Sequence, residues 1–230
     1  MSTLDITYRF TFGNENTHHY SLQLDPVTLK LISATDQIVS KWMRLEFNQC
    51  PNCPLNPETT PLCPVTNNLD LLVNNCDKLR SHNEVFLEVI TSERVISANT
   101  TVQRGLSSLL GLMLATSDCP HTRYFRPMAR FHLPLASEEE TIYRAASMYL
   151  LAQYFKLNEG KSADINLSGL ADIYSNLQIV NKSLANRLRA ASDSDAAVNA
   201  VVLLDLFAKA IPFSITDSLE DIRYLFSLNL

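Results

Sequence analysis

Four of the five cysteines in this 230-residue chain are followed directly by proline: Cys50-Pro51, Cys53-Pro54, Cys63-Pro64 and Cys119-Pro120. The last pair runs on into His121, and only Cys76 lacks the proline. Thiolates and imidazoles are the donors that hold zinc tetrahedrally, at about 2.3 Å for sulfur and about 2.0 Å for nitrogen. Two cysteines with two residues between them, as at Cys50 and Cys53, can both turn inward on one tight loop. Cys63 can fold back from further along the same loop, and Cys119 must arrive from elsewhere. The candidate metal ligands are therefore Cys50, Cys53, Cys63 and Cys119. His121 stands either in place of one of them or hydrogen-bonded behind them. The cofactor expected is Zn2+, with an iron-sulfur cluster on the same thiolates as the alternative. Prolines beside the ligands stiffen the loop and reduce the entropy lost on ordering it. A thioredoxin-like use of Cys50-Pro-Asn-Cys53 is disfavoured, because Pro54, Pro57 and Pro61 deny the helix N-terminus that activates such a thiol.

A second candidate follows the last cysteine. Arg123, Arg126, Arg130 and His132 alternate with Tyr124, Phe125 and Phe131, a composition that suits an anion pocket or a stacked single strand. The competing explanation, pairing with Glu138, Glu139 and Glu140 or plain solvation, carries more weight. His18 and His19 have no acidic or thiol neighbour at ligand spacing and read as surface residues. Asn181, Arg187, Asn199 and Asp205 lie near the seams of two long helical patterns and are expected to form a buried polar network that fixes register, with an oligomer contact as the sharper alternative.

The elements that must position these groups change character along the chain. Leu4, Ile6, Tyr8, Phe10 and Phe12 alternate with polar residues, and Tyr20, Leu22 and Leu24 resume the alternation after the turn residues 13–16, which reads as a hairpin. Val27–Ile32 reads as a third strand. Met43, Leu45 and Phe47 alternate with Arg44, Glu46 and Asn48 in a strand that delivers the chain into Cys50. With five of the ten prolines between residues 50 and 64, that segment is a stiff loop. Pro64 suits the first turn of a helix running to about Leu79. Residues 84–91 and 94–100 form a second hairpin.

Beyond residue 100 the period becomes helical. Leu106, Leu109, Leu110, Met113 and Leu114 make an apolar stripe ending at Ser117-Asp118. Residues 120–136 form an irregular connection with one short helix. Ser137 and Glu140 form a capping box for a helix to about Phe155. Leu170, Ile173, Leu177, Val180, Leu184 and Leu188 define a long helix. Ser192–Asp195 caps another, through Ile211, which packs antiparallel to it. A final helix covers 217–228. The fold class is α+β: an antiparallel sheet in residues 1–100 and a helical region over 101–230, joined by the cysteine-rich knuckle at 50–64 and acting as one cooperative unit.

The net charge of −5 and a pI near 5.5 give no global footprint for nucleic acid. Apolar residues make up 46% of the chain, enough for a substantial core. The longest apolar runs fall short of the ~20 residues that span a bilayer. The N-terminus has no basic segment leading into an apolar run, so a signal peptide is not expected. An odd cysteine count without a secretory signal points to the cytoplasm and away from disulfides. The expected partners are another protein or a second copy of the chain, with neither membrane nor nucleic acid.

Cys50-Pro-Asn-Cys-Pro-Leu with Cys63-Pro, Thr101-Val-Gln-Arg-Gly-Leu-Ser-Ser-Leu-Leu-Gly and Cys119-Pro-His-Thr together resemble an uncharacterised family of bacterial cytosolic proteins. Arg126-Pro-Met-Ala-Arg-Phe-His-Leu-Pro and the helix from Val180-Asn181 through Arg187 resemble it too. The resemblance covers most of the chain. It implies one shared architecture and a bacterial source, and it brings no catalytic residue, so whether the protein is an enzyme stays open. The function expected is metal binding with action through protein contacts. The alternative is an enzyme, redox protein or sensor that works through the same centre.

Overall fold

The computed structural model describes residues 3–13, 15–32, 39–76, 80–191, 195, 197–202, 205 and 219–226. Leu4–Thr11 (β1) and Thr17–Leu24 (β2) form the first hairpin, with Tyr8 opposite Tyr20. Ile6, Tyr8 and Phe10 of β1 and Tyr20, Leu22 and Leu24 of β2 are buried, as a period of two with one wet face requires. Glu84–Ile90 (β3) and Val95–Thr101 (β4) form the second hairpin. β3 pairs antiparallel with β1, giving one sheet in the order β2-β1-β3-β4. The second half is mostly helical, so the α+β expectation holds.

The helices are Pro64–Cys76 (α1), Val102–Ala115 (α2), Arg126–Arg130 (α3), Glu138–Asn158 (α4) and Ser168–Ala191 (α5). Residues 197–202 are helical as well. At the start of α4, Ser137 Oγ accepts from Glu140 N at 3.1 Å while Glu140 Oε2 accepts from Ser137 N at 2.8 Å. This is the capping box expected there. α1 stops at Cys76, and 77–79 lie outside the described residues, as do residues 192–194 of the expected cap and the chain from 206 to 218. Of the expected final helix, 219–221 are helical and Arg223–Leu225 form a 3-10 turn.

The main core takes Tyr8, Phe10 and Leu87 from the sheet, Leu69 and Leu72 from α1, and Leu106, Leu109 and Leu110 from α2. Leu184 and Leu188 of α5 join it, together with Ala197, Ala200 and Val201. A smaller core sets Ile142, Ala146 and Tyr149 of α4 against Leu170 and Tyr174 of α5. Among the described residues no helix is long and apolar enough to cross a membrane.

Two expected strands are corrected. Val27–Ile32 is a turn with a single bridge from Leu31 to Leu24. Asp25 Oδ1 accepts from Thr28 N at 2.6 Å and Val27 N at 3.1 Å, a local competitor that wins over the ladder. Met43–Asn48 keeps its alternation, with Met43 and Leu45 buried and Arg44 and Glu46 exposed. Yet it pairs only at the Arg44–Leu62 bridge, after a 3-10 turn over Lys41–Met43. The carbonyls of Arg44 and Leu45 are taken by Arg187 instead of a neighbouring strand.

Gly105 sets the approach of α2 to the sheet. A Cβ there would lie 2.5 Å from Phe10 Cε1 and 3.4 Å from Leu87 Cδ2. Phe10 is fully buried and cannot swing aside. Gly105→Ala is therefore expected to cost about 1–3 kcal/mol through overpacking. A thermal melt should show Tm lower by about 3–10 °C; an unchanged Tm would mean that α2 and β1 stand further apart than described.

Candidate metal centre

The knuckle is a loop closed at its base. Leu45 N donates to Pro61 O and Cys63 N to Met43 O, each at 2.9 Å. At the other end Cys53 N donates to Cys50 O at 2.9 Å, the tight turn expected of two cysteines at this spacing. Cys63 caps α1: Asn67 N donates to its carbonyl at 3.1 Å and Thr66 Oγ1 at 3.0 Å. Pro64 follows at the one place in a helix where a missing N–H costs nothing. An anionic centre at Cys63 would therefore sit at the positive end of α1.

Cys119 comes from the turn that ends α2. Its N–H donates to Ser117 Oγ at 3.2 Å, and its carbonyl accepts from Thr122 N and Arg123 N. His121 then ties this turn to the knuckle, with Nε2 donating to Asn52 O at 2.8 Å. A carbonyl only accepts, so Nε2 is the donor and Nδ1 is the ring nitrogen outside this bond. Asn52 Nδ2 in turn donates to Asn176 Oδ1 of α5 at 2.8 Å. Three stretches of chain, each distant in sequence, are thus pinned at one point.

Cys50, Cys53, Cys63, Cys119 and His121 line one cavity of about 20 Å³, backed by Val180, Leu184 and Arg187 of α5. That is close to the volume of a single water-sized sphere. All four are free thiols. Burial pushes the Cys50 thiol up to about 11; the Ser183 hydroxyl opposes this, and Cys63, Cys119 and Cys53 add to it. Burial also raises the Cys119 thiol, against the backbone N–H of His121, with Cys63 adding to the rise and Thr122 opposing it. These two thiols stay protonated at neutral pH unless a cation draws the proton off. Among the described residues, no three His, Cys, Asp or Glu side chains stand where they could hold an ion as they are. The sulfurs share a cavity, not a coordination sphere.

Arg187 is the residue whose role sequence reasoning missed. It is 2% exposed. Its Nη1 donates to Trp42 O and Arg44 O, both at 2.7 Å, and its Nη2 to Leu45 O at 2.8 Å. Among the described residues it has no carboxylate partner. The signal was present: Arg187 follows Val180 and Leu184 by seven and three residues, on the buried stripe of the helix. The expected network around it is not one network. Asn181 lines a different cavity, and Asn199 reaches Asp195 at 3.5 Å.

The arginines after the knuckle are dispersed. Arg126 donates to Ser117 O at 2.9 Å and pairs with Asp118 at 2.8 Å. Arg130 approaches Glu93 at 3.4 Å, and Arg123 is exposed. None of these contacts is to Glu138, Glu139 or Glu140. Arg130 and His132 line a common cavity with Arg144, a residue not singled out from the sequence, and neither Arg123 nor Arg126 reaches it. His132 Nε2 is hydrogen-bonded to the Tyr8 hydroxyl, which is fully buried. Burial, and then the charge of Arg144, lower its pKa to about 3.

Over residues 6–227 the chain matches the family described as Domain of unknown function (DUF6901), and it belongs to that family. No curated protein and no solved structure matches it. The expected membership of an uncharacterised family holds at that level.

The neutral state of His132 makes stability depend on pH in a definite sense. Its pKa is lowered from 6.5 to about 3, so the unfolded chain binds a proton that the folded one refuses. The contribution is complete above pH 6.5 and is lost as pH falls towards 3, at up to about 1.4 kcal/mol per pH unit. His132→Gln should flatten this acid limb in denaturation curves recorded between pH 7 and 4. An unaltered limb would place the titration elsewhere.

Proposed function

We propose that this is a metal-binding protein in which Cys50, Cys53, Cys63 and Cys119 hold one zinc-type ion as thiolates, and that the ion is structural. The observation that carries this reading is Arg187. A buried guanidinium with no carboxylate partner is costly, because carbonyl dipoles compensate a full charge only in part. It lines the same cavity as the four thiols. A zinc ion with four thiolates carries two excess negative charges, and so supplies the counter-charge that Arg187 lacks among the described residues. His121, with Nδ1 outside its bond to Asn52, suits a ligand in place of one cysteine, or a brace for the knuckle through that bond. The step from shared cavity to coordination sphere is rotation of cysteine side chains between staggered wells. The small volume of the cavity, about 20 Å³, favours a single ion over an iron-sulfur cluster.

Bound there, the ion would join the knuckle to the turn after α2 and lie against Arg187 of α5, which is structural work. Reduced thiolates suit the cytoplasm. Action through protein contacts is supported by α4, whose Leu151, Tyr154, Phe155 and Leu157 are each 54–55% exposed. Contiguous apolar exposure of this kind suits a partner protein or a second copy.

Protein purified without oxygen is expected to contain about one zinc per chain by elemental analysis, and zinc uptake by metal-free protein should release protons. Structural zinc contributes on the order of 10 kcal/mol, so chelation should lower Tm by more than 10 °C. Cys53→Ser and Cys119→Ser should each abolish stoichiometric zinc, while Arg187→Met should weaken its retention against a chelator. Reduced, metal-free protein that takes up neither zinc nor iron would overturn the reading. Iron with a broad visible absorption would replace the single ion by a cluster.

A further inference from the structure

A second cavity, of about 180 Å³, lies between α2, α5 and the segment that carries α3. Its walls are mainly apolar, including Leu112, Phe125, Met128 and Leu177. A dry apolar cavity of ~150 Å³ is large enough for benzene. Of the polar side chains that also line this one, Asn181 and Arg144 give it a chemical preference. Asn181 of α5 lines it at 1% exposure, and among the described residues neither its Nδ2 nor its Oδ1 has a hydrogen-bond partner. Arg144 is the only charged side chain in the lining among the described residues. Its Nη2 donates to Met128 O at 3.1 Å and Phe131 O at 3.0 Å, and the carboxylate that acts on it, Glu140, lies outside the cavity lining.

An unpaired amide in the core destabilises a protein, since both its donor and its acceptor have left water and found nothing. We propose that Asn181 is the recognition residue of a small-molecule site, and that its ligand is a compact apolar compound bearing a planar amide, such as an aromatic carboxamide or a lactam. The amide edge answers both atoms at once when the Asn181 side chain turns its buried amide into the cavity. The ligand N–H donates to Asn181 Oδ1, and the ligand carbonyl accepts from Asn181 Nδ2. Arg144 offers a further donor to that carbonyl. A carboxylate would satisfy Nδ2 and Arg144 but would set a second acceptor against Oδ1. A pure hydrocarbon would leave both Asn181 atoms unpaired. This site is separate from the thiol cavity and does not depend on the zinc reading.

Benzamide, benzoate and ethylbenzene are suitable probes of the full-length protein, by calorimetry and by the 15N-1H signals of the Asn181 side-chain amide. Benzamide is expected to bind more tightly than the other two and to shift that amide pair. Asn181→Leu should weaken benzamide by about ten- to a hundredfold, the loss of two hydrogen bonds, and should leave ethylbenzene at least as tightly bound. The same substitution should raise the Tm of the ligand-free protein, because it removes two unpaired groups from the core. Tighter binding of benzoate than of benzamide would overturn the proposal. So would an Asn181 amide signal unmoved by all three probes, which is the result for a cavity that holds only water. A fall in Tm with Asn181→Leu would show that Asn181 serves the fold instead.

Discussion

The structure turns on one buried charge. Taking a guanidinium out of water costs several kcal/mol even after relaxation, and Arg187 is 2% exposed and, among the described residues, answered by main-chain carbonyls alone. Carbonyls that face a cation in this way are unavailable to a β-ladder. This is why residues 43–46 alternate in burial like a strand and yet pair with the chain at a single bridge. The same contact sets where the loop leaves the core, and hence where Cys50 begins. A hydrophobic residue at 187 would fill the space but would release those carbonyls and the chain direction that they fix.

α5 carries the consequences further. Asn176, Val180, Ser183 and Arg187 recur at three- and four-residue intervals and so share one stripe of the helix. Asn176 holds the loop through Asn52, Ser183 faces Cys50, and Val180 and Arg187 line the thiol cavity. Tyr174, Leu177 and Asn181 form another stripe, roughly a third of a turn away, and line the larger cavity. A single helix therefore serves two sites without either borrowing a side chain from the other. The helix is long because it has two faces to furnish as well as two cores to fill.

Much of this was legible in the sequence where a period or a cap speaks locally. The alternation in Leu4–Thr11, the Ser137–Glu140 box and the stripe of α2 all produce the element they suggest, since the local preference and the core agree. The convergence of Cys50, Cys53 and Cys63 was legible too, because Cys-Pro pairs in one loop can face few directions. What was not legible is non-local. The false strand at Met43–Asn48 has the right pattern and fails because its acceptors are claimed from residue 187. Asp25 stops the expected third strand by a side-chain bond that propensity does not weigh. Arg144 gave no warning, because α4 is apolar on more than one face, with Leu150 and Leu151 exposed as well as Ile142 buried. Even Asn181 and Arg187, both noticed as polar residues near a seam, were grouped together by proximity in sequence, whereas the helix separates them by face.

The two incomplete groups also differ in what they lack. Arg187 has its hydrogen bonds and is short of a counter-charge, a deficit that an anionic centre offsets over a few ångströms without touching it. Asn181 is neutral and is short of hydrogen bonds, a deficit that only contact at hydrogen-bond distance can meet. The first tolerates variation in ligand geometry and fits thiols that share a cavity before they share an ion. The second demands a ligand of one shape and one polarity. Filling one site alters the affinity of the other only if α5 has two positions that the two ligands favour unequally. A helix anchored at Asn176 and Arg187 and packed into both cores has little room for a second position, so the two sites should act independently.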